Sequence, residues 1–132
     1  WQVNYERKEL ERIVFEKTGI DLGTLIDILP VRRGPSGRIL ALVLKGTKGD
    51  IRLLSELEIR YTLSESHLPS SNFYVEVEKE SGIPKIFKIK GAGWGHGVGM
   101  CQVGAIHRAL LGRTYRDILK FYYPGTRLVR LY

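Results

Sequence analysis

The stretch Gly91-Ala92-Gly93-Trp94-Gly95-His96-Gly97-Val98-Gly99-Met100-Cys101-Gln102-Val103-Gly104-Ala105 holds six of the chain's fifteen glycines around one histidine, one cysteine and one glutamine. Glycine inside a helix or strand costs conformational entropy. Such density therefore marks a backbone that needs positive φ or close approach to another group. The segment is expected to be a loop shaped for a site, and the rest of the fold has to deliver it.

With 132 residues, 43% of them hydrophobic, the chain is long enough to bury one core, and a single domain over residues 1–132 is expected. It starts at Trp1 with no charged and apolar leader, which reads as a portion of something longer. The longest apolar run, Ile39 to Leu44, has strand length and falls short of the ~18 residues a membrane-spanning helix needs, so no membrane span is expected. The 21 Lys and Arg against 14 Asp and Glu leave a formal +7, which attracts anionic partners at long range. These cations are scattered along the chain and not interleaved with stacking aromatics. No nucleic-acid partner is therefore expected, whereas an anionic cell-wall polymer is attracted equally well. Cys101 is the single cysteine, which excludes an internal disulfide and any multi-cysteine zinc site.

Along the chain, Asn4 is placed to cap a helix over 5–17, since Leu10, Ile13 and Val14 recur at helical spacing and Gly19 suits the residue past its end. Strands are expected near 25–32 and 38–45 around the turn Arg33-Gly34-Pro35-Ser36-Gly37, and near 50–54. Ser55 with Glu58 resembles a capping box opening a helix over 55–63. Phe73, Val75 and Val77 alternate with Tyr74, Glu76 and Glu78 on a strand over 73–79. Ile86 and Ile89 lie on its partner over 85–90, across a turn at Ser81-Gly82-Ile83-Pro84. A helix over 100–111 carries Val103, Ile106 and Leu110 at helical spacing until Gly112. Thr114 caps a fourth over 115–122, where Asp117 favours the amino end and Ile118, Leu119 and Phe121 face the core. A last strand spans 126–131. The sum is an α+β fold: a mainly antiparallel sheet with about four helices, and the glycine-rich loop leading into the third of them.

The loop's chemistry is open at several points. A strand feeding a glycine-rich turn into a helix near Met100 presents unpaired N–H groups, a seat for an anion or a polarised carbonyl. His96 at its mouth is a ligand or proton-transfer group, or else a ring that pins the loop. Gln102 offers donor and acceptor to an acetamido or hydroxyl group of a sugar, or knits loop to helix. Cys101 is a small apolar residue or a thiolate lowered by the helix amino end, although no orienting carboxylate is evident. A metal set of His96, Cys101 and His107 is disfavoured, because six residues on one helix separate the faces of Cys101 and His107. The glycine pattern also fails the dinucleotide fingerprint. Trp94, Tyr122 and Tyr123 form either a flat platform under a sugar or part of the core. The carboxylates Glu56, Glu58, Glu65, Glu76, Glu78 and Glu80 are assigned to surface faces, none beside the loop. The segment supplies a binding wall more readily than a proton donor.

The run from Gly93 to Ala105, then Tyr115-Arg116-Asp117-Ile118-Leu119 and Tyr122-Tyr123-Pro124-Gly125-Thr126, resembles the C-terminal half of the SpoIID/LytB domain, the stage II sporulation protein D family. Arg33 to Arg38, Ile59-Arg60 and Leu68 to Phe73 resemble the same domain, so the likeness spans about residues 20–132. The resemblance implies bacterial peptidoglycan as substrate class: sporulation D proteins are lytic transglycosylases on glycan strands stripped of stem peptides, and LytB-type relatives are amidase enhancers. It implies an extracytoplasmic place, at the cell envelope or the forespore engulfment interface, with a cell-wall amidase or sporulation proteins as further partners. The family's catalytic glutamate lies in a more N-terminal segment around Pro-Glu-x-Pro, and a histidine and cysteine region is linked to zinc in some members; this chain carries neither. It is therefore expected to bind glycan without cleaving it, with no catalytic residue, metal or cofactor of its own. His96, Gln102, Trp94, Gly95, Gly97, Cys101, Tyr122 and Tyr123 are the expected substrate-binding residues.

Overall fold

The computed structural model describes residues 1–130. In chain order its elements are β1 (Gln2–Glu6), α1 (Arg7–Thr18), β2 (Leu25–Arg33), β3 (Ile39–Gly46), β4 (Asp50–Leu53), α2 (Glu56–Thr62), β5 (Phe73–Glu80), β6 (Ile83–Gly91), α3 (Gln102–Leu110) and α4 (Tyr115–Tyr122). Two three-stranded antiparallel sheets, β1-β6-β5 and β2-β3-β4, with four helices make the fold α+β, as expected. The chain forms two compact units, Trp1–His96 and Gly97–Tyr132.

In the larger unit one apolar core joins both sheets and both helices. Leu10 and Val14 of α1, Ile59 of α2, Leu42 and Leu44 of β3, and Phe87 and Ile89 of β6 are almost completely buried within it. Each such side chain contributes about 1.5–3 kcal/mol relative to remaining exposed.

The front of the chain departs from expectation. Residues 2–6 are a strand paired antiparallel with β6, Val3 opposite Ile89 and Tyr5 opposite Phe87. The alternation is of period two, with Trp1, Val3 and Tyr5 half-buried and Gln2, Asn4 and Glu6 exposed. Asn4 therefore caps nothing. The residue before α1 is Glu6, with no side-chain cap bond, and the helix starts at Arg7. Its far end is as read: Gly19 is left-handed and donates its N–H to the Phe15 carbonyl at 2.7 Å. Glu11 ties α1 to β2, accepting from the Leu25 N–H at 2.7 Å and from Arg7 at 2.8 Å.

Both expected hairpins are present. Between β5 and β6 the turn is only Ser81-Gly82, both with positive φ (50° and 81°), and Ile83 and Pro84 already belong to the strand. The inward face of β6 is Phe87 and Ile89. Ile86, one position out of phase, is only half-buried. Outside, Glu76 pairs with Lys90 at 2.6 Å, and Glu78 pairs with Lys88. Before α2 the Ser55 hydroxyl accepts from the Glu58 N–H at 3.2 Å, but the Glu58 carboxylate returns to the Leu54 N–H at 2.8 Å, one residue short of a closed box. Glu56, assigned to a surface face, is instead half-buried against Arg60 at 3.3 Å.

In the smaller unit, α4 opens with the expected box. Thr114 accepts from the Asp117 N–H, and the Asp117 carboxylate accepts from the Thr114 N–H at 3.2 Å. Of the three residues expected to face a core there, Ile118 is buried and Leu119 half-buried. Phe121 is 54% exposed and lies under the Arg108 guanidinium, 3.2 Å from its ring centre. The expected last strand is absent over 126–130, where no ladder partner engages the backbone; position 131 lies outside the described residues.

Candidate functional site

The glycine run leaves the end of β6, and in the larger unit its backbone is held from three directions. The Ala92 N–H donates to the Asn72 carbonyl at 2.9 Å and the Gly95 N–H to the Pro69 carbonyl at 2.8 Å. The fully buried Ser70 hydroxyl donates to the Ala92 carbonyl at 2.8 Å. From the opposite side, Arg38 donates its Nε to the Gly95 carbonyl at 2.9 Å and an Nη to the Trp94 carbonyl at 3.2 Å. Arg33 braces the turn before Arg38, donating to the Gly37 carbonyl and the Phe73 carbonyl, both at 2.7 Å. Main-chain carbonyls that would otherwise be left to solvent are thus taken by guanidinium forks, charge-assisted bonds stronger than neutral ones.

Four alternate residues of the run, Gly93, Gly95, Gly97 and Gly99, have φ of 77°, 78°, 67° and 74°. A side chain at any of them strains the left-handed conformation, so the spacing of glycines is a property of the backbone path. The positions between carry the chemistry. Trp94 is 81% exposed although its own carbonyl is gripped, and His96 is exposed as well. A cavity of about 410 Å³ sits at the base of the run, lined by Arg33, Asn72, Tyr74 and Lys90 among others.

In the smaller unit, α3 starts at Gln102, not at Met100, and Cys101 is its cap. The Cys101 sulfur accepts from the Gly104 N–H at 3.5 Å and its carbonyl accepts from Ala105 at 2.8 Å, while the Met100 N–H donates to the Tyr123 hydroxyl at 3.2 Å. The expected seat of unpaired N–H groups is therefore partly filled by the protein itself. Cys101 is exposed, not a small buried residue. A methyl group at position 104 would meet the Tyr122 hydroxyl, so the tyrosine side chain would have to shift. Tyr122 packs edge-on against Phe121 with ring centres 5.0 Å apart, and Gln102 is exposed. Trp94, Gly95 and His96 thus belong to the larger unit, and Gly97, Cys101, Gln102, Tyr122 and Tyr123 to the smaller.

No Asp or Glu occurs between Glu80 and Asp117, so neither the glycine run nor α3 contains a carboxylate. Among the described residues no three His, Cys, Asp or Glu side chains converge as a metal set. Sequence reasoning did not reach Arg38, Ser70 or Asn72 as part of the site. Their role is carried by contacts across 20 or more positions, and the motifs Arg33 to Arg38 and Leu68 to Phe73 were the signals pointing to them.

The chain is similar to an uncharacterised protein of Brachyspira hyodysenteriae, with 43% identity over 76 residues, which is 58% of this chain and 19% of that protein. It is 53% identical over 55 residues to the amidase enhancer of Bacillus subtilis, 42% of this chain and 7% of that protein. To stage II sporulation protein D of the same organism it is 56% identical over 36 residues, 27% of this chain and 10% of that protein. The chain spans less than a fifth of the length of each of these relatives. Residues 1–99, which take in the whole larger unit, match the family described as a domain of unknown function (DUF8618), and the chain belongs to that family.

Proposed function

We propose that this chain is the glycan-binding portion of a bacterial cell-wall protein, in which the exposed Trp94 and His96 contact the sugars of a peptidoglycan strand. The observation that carries the reading is the combination at Trp94: a large apolar ring left in solvent on a backbone that Arg38, Pro69 and Ser70 immobilise. An aromatic face packs against the C–H face of a pyranose, and a backbone already held loses little entropy on binding. The cavity beside Asn72 and Tyr74, about 410 Å³, falls within the range of small-ligand sites and adds an amide and a phenol for sugar hydroxyls.

Similarity to stage II sporulation protein D supports the leading reading, in which the longer protein is a lytic transglycosylase acting on glycan strands. Protonating the glycosidic oxygen needs a carboxylic acid, and the stretch from 81 to 116 has none; in this reading another part of the longer protein supplies it. A second reading is favoured by the same lack together with the likeness to an amidase enhancer: a non-catalytic module that holds the wall while a cell-wall amidase acts.

Co-sedimentation of the chain with glycan strands stripped of stem peptides tests the binding claim. Trp94→Ala is expected to weaken capture about tenfold, consistent with the ~1–3 kcal/mol of a stacked aromatic. Unchanged capture by both Trp94→Ala and His96→Ala overturns it. For the longer protein, anhydro-sugar ends on the same glycan favour the transglycosylase, and faster amidase turnover without such ends favours the enhancer.

A further inference from the structure

The smaller unit is far more basic than the larger. From Gly97 onward the chain carries Arg108, Arg113, Arg116, Lys120, Arg127 and Arg130 against the single carboxylate Asp117. That carboxylate is committed to capping α4 through Thr114. Among the described residues seven of the fifteen Lys and Arg of the larger unit, Arg7, Arg12, Lys48, Arg60, Lys85, Lys88 and Lys90, sit in ion pairs, and none of the six of the smaller unit does. Four of them face one feature. A cleft of about 880 Å³ runs between α4 and the 126–130 segment, lined by Arg116, Lys120, Arg127 and Arg130 with Leu128 and Val129, and among the described residues no Asp or Glu lines it.

We infer that this cleft is a binding site for a phosphodiester polymer strand. Unpaired cations around one concavity repel one another and focus a positive field there, which an anion relieves. Guanidinium groups come from both walls, Arg116 from α4 and Arg127 and Arg130 from the facing segment. Forks approaching from different sides suit a tetrahedral oxyanion better than a planar carboxylate, which takes one fork in its own plane. Nucleic acid is the less suited phosphodiester. Among the described residues the aromatic in the lining is Tyr115, which Arg116 engages by donating its Nε to the hydroxyl at 3.1 Å, while Leu128 and Val129 offer aliphatic surface to a flexible polyol backbone instead of a flat face for bases. The site uses none of the residues of the proposed sugar contact, so either holds or fails without the other.

Fluorescence anisotropy of the whole chain with labelled poly(glycerol phosphate) tests the assignment. Binding is expected at low salt and should weaken steeply as salt rises, roughly tenfold or more between 50 and 200 mM. Arg127→Ala with Arg130→Ala should lose about tenfold in affinity, and the pair changed to Lys an intermediate amount, since an ammonium keeps charge without the fork. If the alanine pair fails to fold, the lysine pair carries the measurement. Lys8→Ala with Lys45→Ala removes the same charge from the larger unit and should change affinity little. An equal loss in that control reduces the effect to net charge and overturns the site. Equally tight binding of polyglutamate overturns the choice of phosphate, and tighter binding of single-stranded DNA overturns the choice of polymer. Capture of stripped glycan should be the same for the Arg127 and Arg130 variants as for the parent chain.

Discussion

The two units spend their apolar residues in opposite ways. In the larger one, side chains from two sheets and two helices meet in a core where Phe87, Leu10 and Ile39 have no exposed surface. In the smaller one, Ile118 at 9% exposure is the sole buried apolar residue among those described, while Val103, Ile106 and Leu110 of α3 are 75%, 61% and 81% exposed. The larger unit is held by volume excluded from water. The smaller is held by local devices: the Thr114 and Asp117 box, the Cys101 cap, the Tyr123 bond to Met100 and the stacking of Arg108 on Phe121. Burial scales with the number of neighbours, whereas caps and stacks add only about a kilocalorie each. Cooperative stability should therefore reside in residues 1–96.

Truncation at the two centres is the sharpest way to break this contrast. Phe87→Ala is expected to cost about 3–5 kcal/mol and to lower the denaturant midpoint of the whole larger unit. Ile118→Ala removes the side chain of a unit with little else buried and should cost under about 2 kcal/mol. Equal losses in urea titrations monitored by circular dichroism would show that the smaller unit has a core after all. A medium effect is expected at the clamp. Arg38→Ala leaves the Trp94 and Gly95 carbonyls without their charged donor, at about 1.5–3 kcal/mol. It should also raise the mobility of Trp94, read as lower indole fluorescence anisotropy. The anisotropy, unlike the stability, separates a loop anchor from general packing.

The smallest effect belongs to the α4 cap. Thr114→Ala should cost about 0.5–2 kcal/mol, confined to amides of α4 in hydrogen exchange. Hydrogen bonds from Thr114 hold the Asp117 carboxyl below its usual range. The folded form therefore binds its proton less readily than the unfolded one. The cap's contribution is complete above the ordinary carboxylate value of about 3.9 and is lost as pH falls through the lowered one. Protection of α4 should decline on acidification below that range in the parent and be flat in Asp117→Asn.

Much of the architecture is legible in local chemistry. The β2–β3 and β5–β6 hairpins follow from turn residues between alternating runs, and the ends of α1 and α4 from Gly19 and Thr114. What escapes are features decided at a distance. Tyr5 and Glu6 read as the start of a helix capped by Asn4 because Leu10 to Val14 follows in helical phase, and the true partner of the segment, β6, is eighty or more positions away. The missing strand after Thr126 fails for the same reason: alternation by itself cannot supply a neighbouring ladder. Within the site, glycine density identified the loop, and Trp94 and His96 were found exposed on it. The reach of Arg38 across 57 positions to Gly95 left no local trace.

Arg38 takes hold of the carbonyl oxygens of Trp94 and Gly95, main-chain atoms that every residue carries. The bracket and the tool it carries are chemically separate. Exchange of the Trp94 side chain therefore leaves both Arg38 bonds available, so a new side chain at that position is presented on the same main-chain frame.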